Sequence, residues 1–409
     1  MAEPLGVRCL SCGQEYAPWS LDYFCPSCGF PAGSLEVLYD YRKLSAPFPK
    51  TEKLSLWRYE ALLPVGEDFA PPLRAGFTPL YPASKLAQEL GLRELWIKDD
   101  ALHPTGSCKD RGTAVVVAAA KKLGRKALSC ASTGNAAASL AGFAAASGFP
   151  CYIFVPKAAP RPKIAQLVAF GARVFRVDGS YDQAFALALV ASQEFGWYNR
   201  SDGLNPMVVE GNKTVSFEIW EGLGDVPEAV VVAAGDGAVV AGVCKGFLEL
   251  KRAGFAERVP KVFGVQAEGA AAIAHAFSRF LSGEPILPAE EPAETIADSI
   301  CVGKPAAVIP AVKYVAETGG GYVTVRDPDL LGASLDLARK TGIFAEPSGA
   351  APLAGLRKLL AEGRIEPGDR VVLIVTGSGL KDPSSILREV PEPPTIPPHL
   401  EAVSEVVRG

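Results

Sequence analysis

The chain has 409 residues, of which 48% are hydrophobic and 21% charged, and its net charge is −4. That length exceeds one small core and fits two or three domains. The balance excludes a disordered chain and leaves no basic footprint for nucleic acid.

Residues 1–8 hold no apolar core of signal-peptide length. Next comes Cys9-x-x-Cys12, twelve residues, then Cys25-x-x-Cys28. Two intervening residues let both thiolates of one turn point at one ion, and a second such turn completes a tetrahedral site. Gly13 and Gly29 follow each pair, where the backbone must turn sharply. Two disulfides or free thiols are the alternative. Zinc is the expected metal, and iron suits the same sulfur set. With all four positions filled by protein, the site is structural rather than catalytic. The other five of the nine cysteines (Cys108, Cys130, Cys151, Cys244 and Cys301) are scattered singly and read as small buried hydrophobes.

From Lys109 onward, strand and helix signals alternate. Asp110 to Leu123 reads as a helix, Lys126 to Cys130 as a strand, and Asn135 to Ser147 as a helix. Cys151 to Val155 is a strand, Arg161 to Phe170 a helix, Arg173 to Val177 a strand, and Ser180 to Phe195 a helix. Gly124, Gly148, Gly171 and Gly196 stop the helices. Three strand–helix units in a row imply parallel pairing. Residues 127–156 carry no charge, but Gly134 and the Gly148–Pro150 turn interrupt them, so no membrane span is expected. A second set follows. Gly211 to Leu223 and Gly237 to Arg252 read as helices, and Ala229 to Ala234, Val262 to Gln266 and Val371 to Val375 as buried strands. The proline-rich stretch from Val390 to Pro398 is expected on the surface. The fold class is therefore α/β, with two lobes and ligands at the carboxyl ends of strands between them.

Four loops carry polar groups at such ends. His103-Pro-Thr-Gly-Ser-Cys-Lys109-Asp-Arg-Gly112 puts a lysine at a helix start, where the dipole should lower its pKa. Read alone, that is more often a solvated lysine at a capped helix. Ser132-Thr133-Gly134-Asn135 offers backbone amides to a carboxylate or phosphate. Gly235-Asp236-Gly237-Ala238 opens a helix after a buried strand and suits one phosphate. Val240 stands where a dinucleotide fingerprint needs glycine. Thr376-Gly377-Ser378-Gly379 places a hydroxyl after the last strand.

Pro104-Thr105-Gly106-Ser107-x-Lys109-Asp110-Arg111-Gly112 resembles the lysine motif of fold-type II pyridoxal-phosphate (PLP) enzymes, in particular the threonine synthase family. Ser132 to Asn135, Glu346-Pro-Ser-Gly-Ala350 and Thr376-Gly-x-Gly-Leu-Lys-Asp382 also resemble that family, so the likeness runs roughly from Cys9 to Asp382. It implies a fold-type II architecture of two α/β domains with parallel or mixed sheets and a small zinc ribbon, the ribbon being common in one branch. The expected division is 1–40 for the ribbon, 41–115 with 205–409 for the large domain, and 116–204 for the smaller one.

The resemblance implies roles as well. Lys109 holds PLP as a Schiff base and then moves the proton. Asn135 bonds the cofactor's phenolic oxygen, Gly235, Asp236, Gly237 and Ala238 cradle its phosphate, and Thr376 faces the ring nitrogen. Ser132, Thr133 and Gly134 hold the substrate carboxylate, with Ser107 and Arg111 also expected at the substrate. The implied reaction is conversion of O-phospho-L-homoserine and water to threonine and phosphate. Fold-type II deaminases and β-replacement enzymes are the alternative, and a non-catalytic zinc-ribbon binding protein a third. The stretch Asn205-Pro-Met-Val208-Val-Glu-Gly211 resembles the family's Asn-Pro-Tyr-Arg-Leu-Glu-Gly, with Val208 in place of the arginine that grips the substrate phosphate. Lys213, Arg200 and Arg111 are the candidate replacements; without one, a smaller or neutral leaving group is implied. His103 could touch substrate or stabilise its own turn, and His275 reads as structural or solvated. A small amino-acid substrate, no nucleic acid, no membrane, a homodimer and a cytoplasmic location complete the expectation.

Overall fold

Short apolar runs bounded by glycine or proline build three sheets in the computed structural model, which describes residues 3–44, 48–49, 51–159, 161–388 and 390–408, side chains 161–163 excepted. The first sheet is antiparallel and small: β1 (Gly6–Cys9), β2 (Glu15–Tyr16) and β3 (Leu35–Leu38), in the order β2-β1-β3. The chain then lays down β4 (Leu80–Pro82), α1 (Ser84–Leu90) and β5 (Glu94–Asp99) at one edge of the main sheet. It leaves through α2 (Lys109–Lys122) to form a second sheet. That sheet holds β6 (Leu128–Ala131), β7 (Cys151–Pro156), β8 (Arg173–Val177) and β9 (Tyr198–Asn199), all parallel, in the order β8-β7-β6-β9. Its helices are α3 (Asn135–Ser147), α4 (Arg161–Ala169) and α5 (Tyr181–Phe195). The parallel pairing expected from three strand–helix units is what the structure has.

The chain returns through α6 (Met207–Asn212) and α7 (Thr214–Leu223). The single helix expected over Gly211–Leu223 is two, meeting at Lys213. The main sheet is completed by β10 (Ala229–Ala233), α8 (Ala238–Arg252), β11 (Lys261–Ala267), β12 (Gly321–Val325) and β13 (Arg370–Val375). Its order is β12-β11-β10-β13-β5-β4, parallel except for the last pair.

Alternation explains why β10 is apolar throughout. Val230 and Val232 join the core on one face of the sheet, and Ala229, Val231 and Ala233 join the core on the other. A strand covered on both faces has no polar side to write. The first face's core also takes in Val7, Cys25, Leu35 and Val37 of the small N-terminal unit. That unit is welded to the body. No described helix is long and apolar enough to cross a membrane. Residues 391–400 are exposed, as expected of the proline-rich tail.

Candidate active site

The carboxyl ends of β6 and β10 open on one cavity of about 700 Å³. Lys109 reaches it from the first turn of α2. Ser132, Thr133, Gly134 and Asn135 reach it from the β6–α3 loop, and Gly235, Asp236, Gly237 and Ala238 from the β10–α8 loop. Thr376 lines it from the end of β13. Lys109 and Thr376, 267 positions apart in sequence, therefore share one space.

Lys109 is an ion-pair partner of Asp202. Arg200 holds the other carboxylate oxygen from behind, Nη1 to Oδ1, at 2.6 Å. Burial is the largest single influence and lowers the lysine pKa, but the charge and hydrogen bond of Asp202, with Cys108, together more than offset it and hold the amine above its ordinary value. The lowering expected from the helix start is thus overturned: a full charge in contact exceeds a partial charge at a helix end. Asp202 itself stays ionised. Burial opposes that, but Arg200 and Lys109 draw its carboxyl well below the usual range.

The β10–α8 loop has the shape of an anion cradle. Gly237 caps α8 with φ +101°, and a Cβ there would sit 2.9 Å from the Ala307 carbonyl oxygen. No described side chain caps the helix, so its first-turn N–H groups, which no helix can pair internally, stay open to a ligand. Asp236 accepts from the Ala306 N–H at 2.7 Å, while its Oδ2 has no hydrogen-bond partner among the described residues. Burial and the nearby Asp202 charge push its carboxyl up to about 6.

Asn135 donates to Glu346 at 2.8 Å and to Ser299 at 3.2 Å. Glu346 lines the cavity too, and burial pushes its carboxyl up despite Ser348, Ser299 and Asn135 around it. An amine, an amide, a hydroxyl at a strand end and an anion cradle fit a phosphorylated pyridine aldehyde. Lys109 would hold its aldehyde carbon, the cradle its phosphate, Asn135 its phenolic oxygen and Thr376 its ring nitrogen.

Two expected substrate contacts lie elsewhere. Ser107 is fully buried, with its residue bridged to Gly377, and it does not line the cavity. Arg111 is also fully buried and is spent on Asp100 and Glu218. Lys213 is closed off in the same way between Glu210 and Glu249. Val208 packs on Gly112, where an added Cβ would lie 2.9 Å from its Cγ1, so position 208 serves the α2–α6 contact. Of the three replacement cations, Arg200 alone adjoins the cavity, through Asp202. His103 accepts the Gly76 N–H at 2.9 Å and faces the Asp100 carbonyl at 2.8 Å, so it stabilises its turn. His275 is exposed beside Glu291. Asp202, Asp236 as an acid, Glu346 and Lys304 are among the lining groups the pattern did not single out for chemistry.

At the far end of the chain, the sulfurs of Cys9, Cys12, Cys25 and Cys28 lie within 4.8 Å of one another. Cys9 to Cys28 and Cys12 to Cys25 are both 3.8 Å. A disulfide is about 2.05 Å, whereas the edge of a zinc–thiolate tetrahedron with 2.3 Å arms is about 3.8 Å. The spacing fits a shared ion. The remaining cysteines are buried, except Cys301, which is half-buried at the cavity.

Comparison with known proteins agrees with this geometry. Residues 72–377 match the family described as pyridoxal-phosphate dependent enzyme. The chain is 38% identical to the threonine synthase of Methanosarcina acetivorans over 98% of both chains. It is also 38% identical to that of Methanocaldococcus jannaschii over 98% of this chain and 99% of the other. Among solved structures, the processed threonine deaminase isoform 2 of Solanum lycopersicum matches with a TM-score of 0.63 at 25% identity. That match covers 76% of this chain and 86% of the other.

Proposed function

Since the chain belongs to the pyridoxal-phosphate-dependent enzyme family, we propose that it acts as a threonine synthase, a lyase converting O-phospho-L-homoserine and water to L-threonine and phosphate. The observation that carries the reading is the meeting of Lys109, Asn135, Thr376 and the Gly235–Ala238 loop on one cavity. Identity to threonine synthases over nearly the whole chain supports the same choice.

When bound, PLP supplies an electron sink beside the substrate's α-carbon. The protein does the rest. Lys109 anchors the cofactor, and its amine carries the proton removed from the α-carbon. Asp202, backed by Arg200, steers that amine and balances its charge. Ser132, Thr133 and Gly134 take the substrate carboxylate at the start of α3. Thr376 offers the ring nitrogen a neutral hydroxyl rather than a carboxylate. With Val208 buried, the leaving phosphate needs another cation. Lys304 lines the cavity and, among the described residues, its one ion pair is a 3.7 Å contact to Glu290, so we assign it that role, with Arg200 behind.

The same reading gives the four cysteines a structural zinc ion and the chain a ribbon over 1–40. Residues 41–115 with 205–409 form the cofactor-binding domain, and 116–204 the smaller one. It also implies a homodimer in the cytoplasm. The test is to mix the purified protein with PLP, follow its visible absorption, add phosphohomoserine and assay threonine and free phosphate. A shifted cofactor band with both products supports the proposal. A band without either product overturns it.

A further inference from the structure

The cysteine-bearing unit does more than sit beside the body. Phe30 and Pro31, just past the second cysteine pair, line the cavity that holds Lys109. The Phe30 ring stacks on Phe185 of α5, 5.5 Å apart at 16°. Phe24 supports it at 6.0 Å from the other side of the turn. The loop carrying Phe30 is closed on itself. Cys25 donates to the Gly33 carbonyl at 2.9 Å, Gly29 to Cys25 at 2.9 Å, and Gly33 to Gly29 at 2.5 Å. Its position is therefore tied to the position of Cys25.

A second contact runs from the same turn to the base of the cavity. Tyr23 stacks on Tyr198 at 5.8 Å, and its hydroxyl accepts the Asn199 N–H at 2.8 Å. The Asn199 side chain in turn accepts the Ser201 N–H at 2.9 Å. Asp202, the partner of Lys109, is the next residue. One knuckle thus touches the cavity wall and the segment that presents Asp202.

We propose that the four-cysteine unit is part of the active site. Metal held by Cys9, Cys12, Cys25 and Cys28 fixes Phe30 and Pro31 as a wall of the cavity, and Phe30 is a residue that governs substrate entry. The wall is apolar: Phe30, Pro31, Phe185 and Leu189 meet there. It favours a compact amino acid whose polar groups are all met deeper in the cavity. This inference rests on reading the cavity as the catalytic site, so its test begins with a signal that needs neither cofactor nor turnover.

Amide hydrogen exchange is measured on the full chain as wild type, Cys12→Ala and Phe30→Ala, with metal content by elemental analysis. Cys12 is the exposed ligand and does not line the cavity. Cys12→Ala should lose the metal and speed exchange over 181–189 and 198–202 roughly tenfold or more, as a local opening would. Exchange over 229–252 should not change. Phe30→Ala should keep one metal ion per chain and still speed exchange over 181–189. In the loaded enzyme it should raise KM for the amino-acid substrate roughly five- to tenfold, more than it lowers kcat, the size of a lost aromatic pair. Exchange changes confined to 6–38 in Cys12→Ala, or a Phe30→Ala protein matching wild type in exchange and KM, overturn the inference. If Cys12→Ala fails to fold, protection over 229–252 is lost as well, and Phe30→Ala alone decides. Absence of threonine formation would count against the activity and leave the exchange result standing.

Discussion

Lys109 and Arg111 stand two residues apart in the first turn of α2, and they belong to opposite kinds of charge network. Arg111 donates to both oxygens of Asp100 at 2.7 Å, to Glu218 at 2.5 and 2.8 Å, and to Thr214 and Thr78 at 3.1 Å. Lys98 closes the set on Glu218 at 2.6 Å. Each guanidinium nitrogen is used. On the other side, Lys109 has Asp202, while Nη2 of Arg200 and Oδ2 of Asp236 have no hydrogen-bond partner among the described residues. A closed network has nothing left to offer a ligand and holds elements together. An open one keeps donors and charges available, which chemistry requires.

The sharpest way to break this contrast is to substitute both residues and compare what fails. Lys109→Ala should abolish covalent capture of PLP and cost at least about 10⁴-fold in turnover, because anchor and proton carrier go together. Its melting temperature without cofactor should move by no more than roughly 3 °C. Retained activity would falsify the assignment of Lys109. Arg111→Met should do the reverse. It leaves Asp100 and Glu218 buried beside an apolar chain, at a cost of about 3–5 kcal/mol. Urea unfolding of the apoprotein reads that loss directly. An Arg111→Met protein of normal stability but poor substrate affinity would return Arg111 to the substrate.

That pair also shows what could be read from the sequence. Glycine stops, apolar runs and glycine-bearing loops located the helices from Lys109 to Arg252, several of the buried strands and the loops that line the cavity, but not the helices beyond Arg252 nor the strands at Glu94–Asp99 and Gly321–Val325. Arg111 and Ser107 were misplaced because closeness in sequence to the lysine stood in for closeness in space. The helical period held a correction: two residues turn about 200° around the axis, so Lys109 and Arg111 must face opposite ways. Asp202 had no such signal. It lies 93 residues from Lys109, and nothing in its neighbours marks it. Phe30 is a similar case, since only the docking of the first sheet on the body brings it to the cavity. The raised lysine pKa was hidden for the same reason: the helix start is local and Asp202 is not.

Asp202→Asn sharpens the contrast within the open network. The groups facing Lys109 are Asp202 and Cys108, which raise its pKa, and Arg200, which lowers it. Removing the Asp202 charge should drop the lysine pKa, so more of it is neutral near pH 7. In the apoprotein, Lys109 should then react faster with an amine-specific reagent, and the pH limb of that reaction should move down by about one unit. Turnover should fall roughly 10- to 100-fold because the freed amine is no longer held. An unmoved limb would make Asp202 a purely structural neighbour.

Asp236→Asn should have the smallest effect, and its sign separates it from ordinary packing. The carboxyl stands at about 6 against an ordinary 3.8, first through burial and then through Asp202, while Lys109 and Arg200 pull the other way. Below pH 3.8 both folded and unfolded chains carry the proton, and there is no penalty. Between 3.8 and 6 the unfolded chain ionises first, so stability falls as pH rises. Above 6 the full penalty applies, at most about 3 kcal/mol and about 1 kcal/mol after the loop relaxes. Asparagine never ionises, and its oxygen still accepts the Ala306 N–H. The variant should therefore melt higher than wild type at pH 8, by roughly 2 °C, with the gap closing by about pH 4. A gap independent of pH would trace the change to packing. The gap predicted here would mean that the phosphate loop carries an acid whose charge disfavours the fold, and that the same acid must be neutral or shielded when a cofactor phosphate enters.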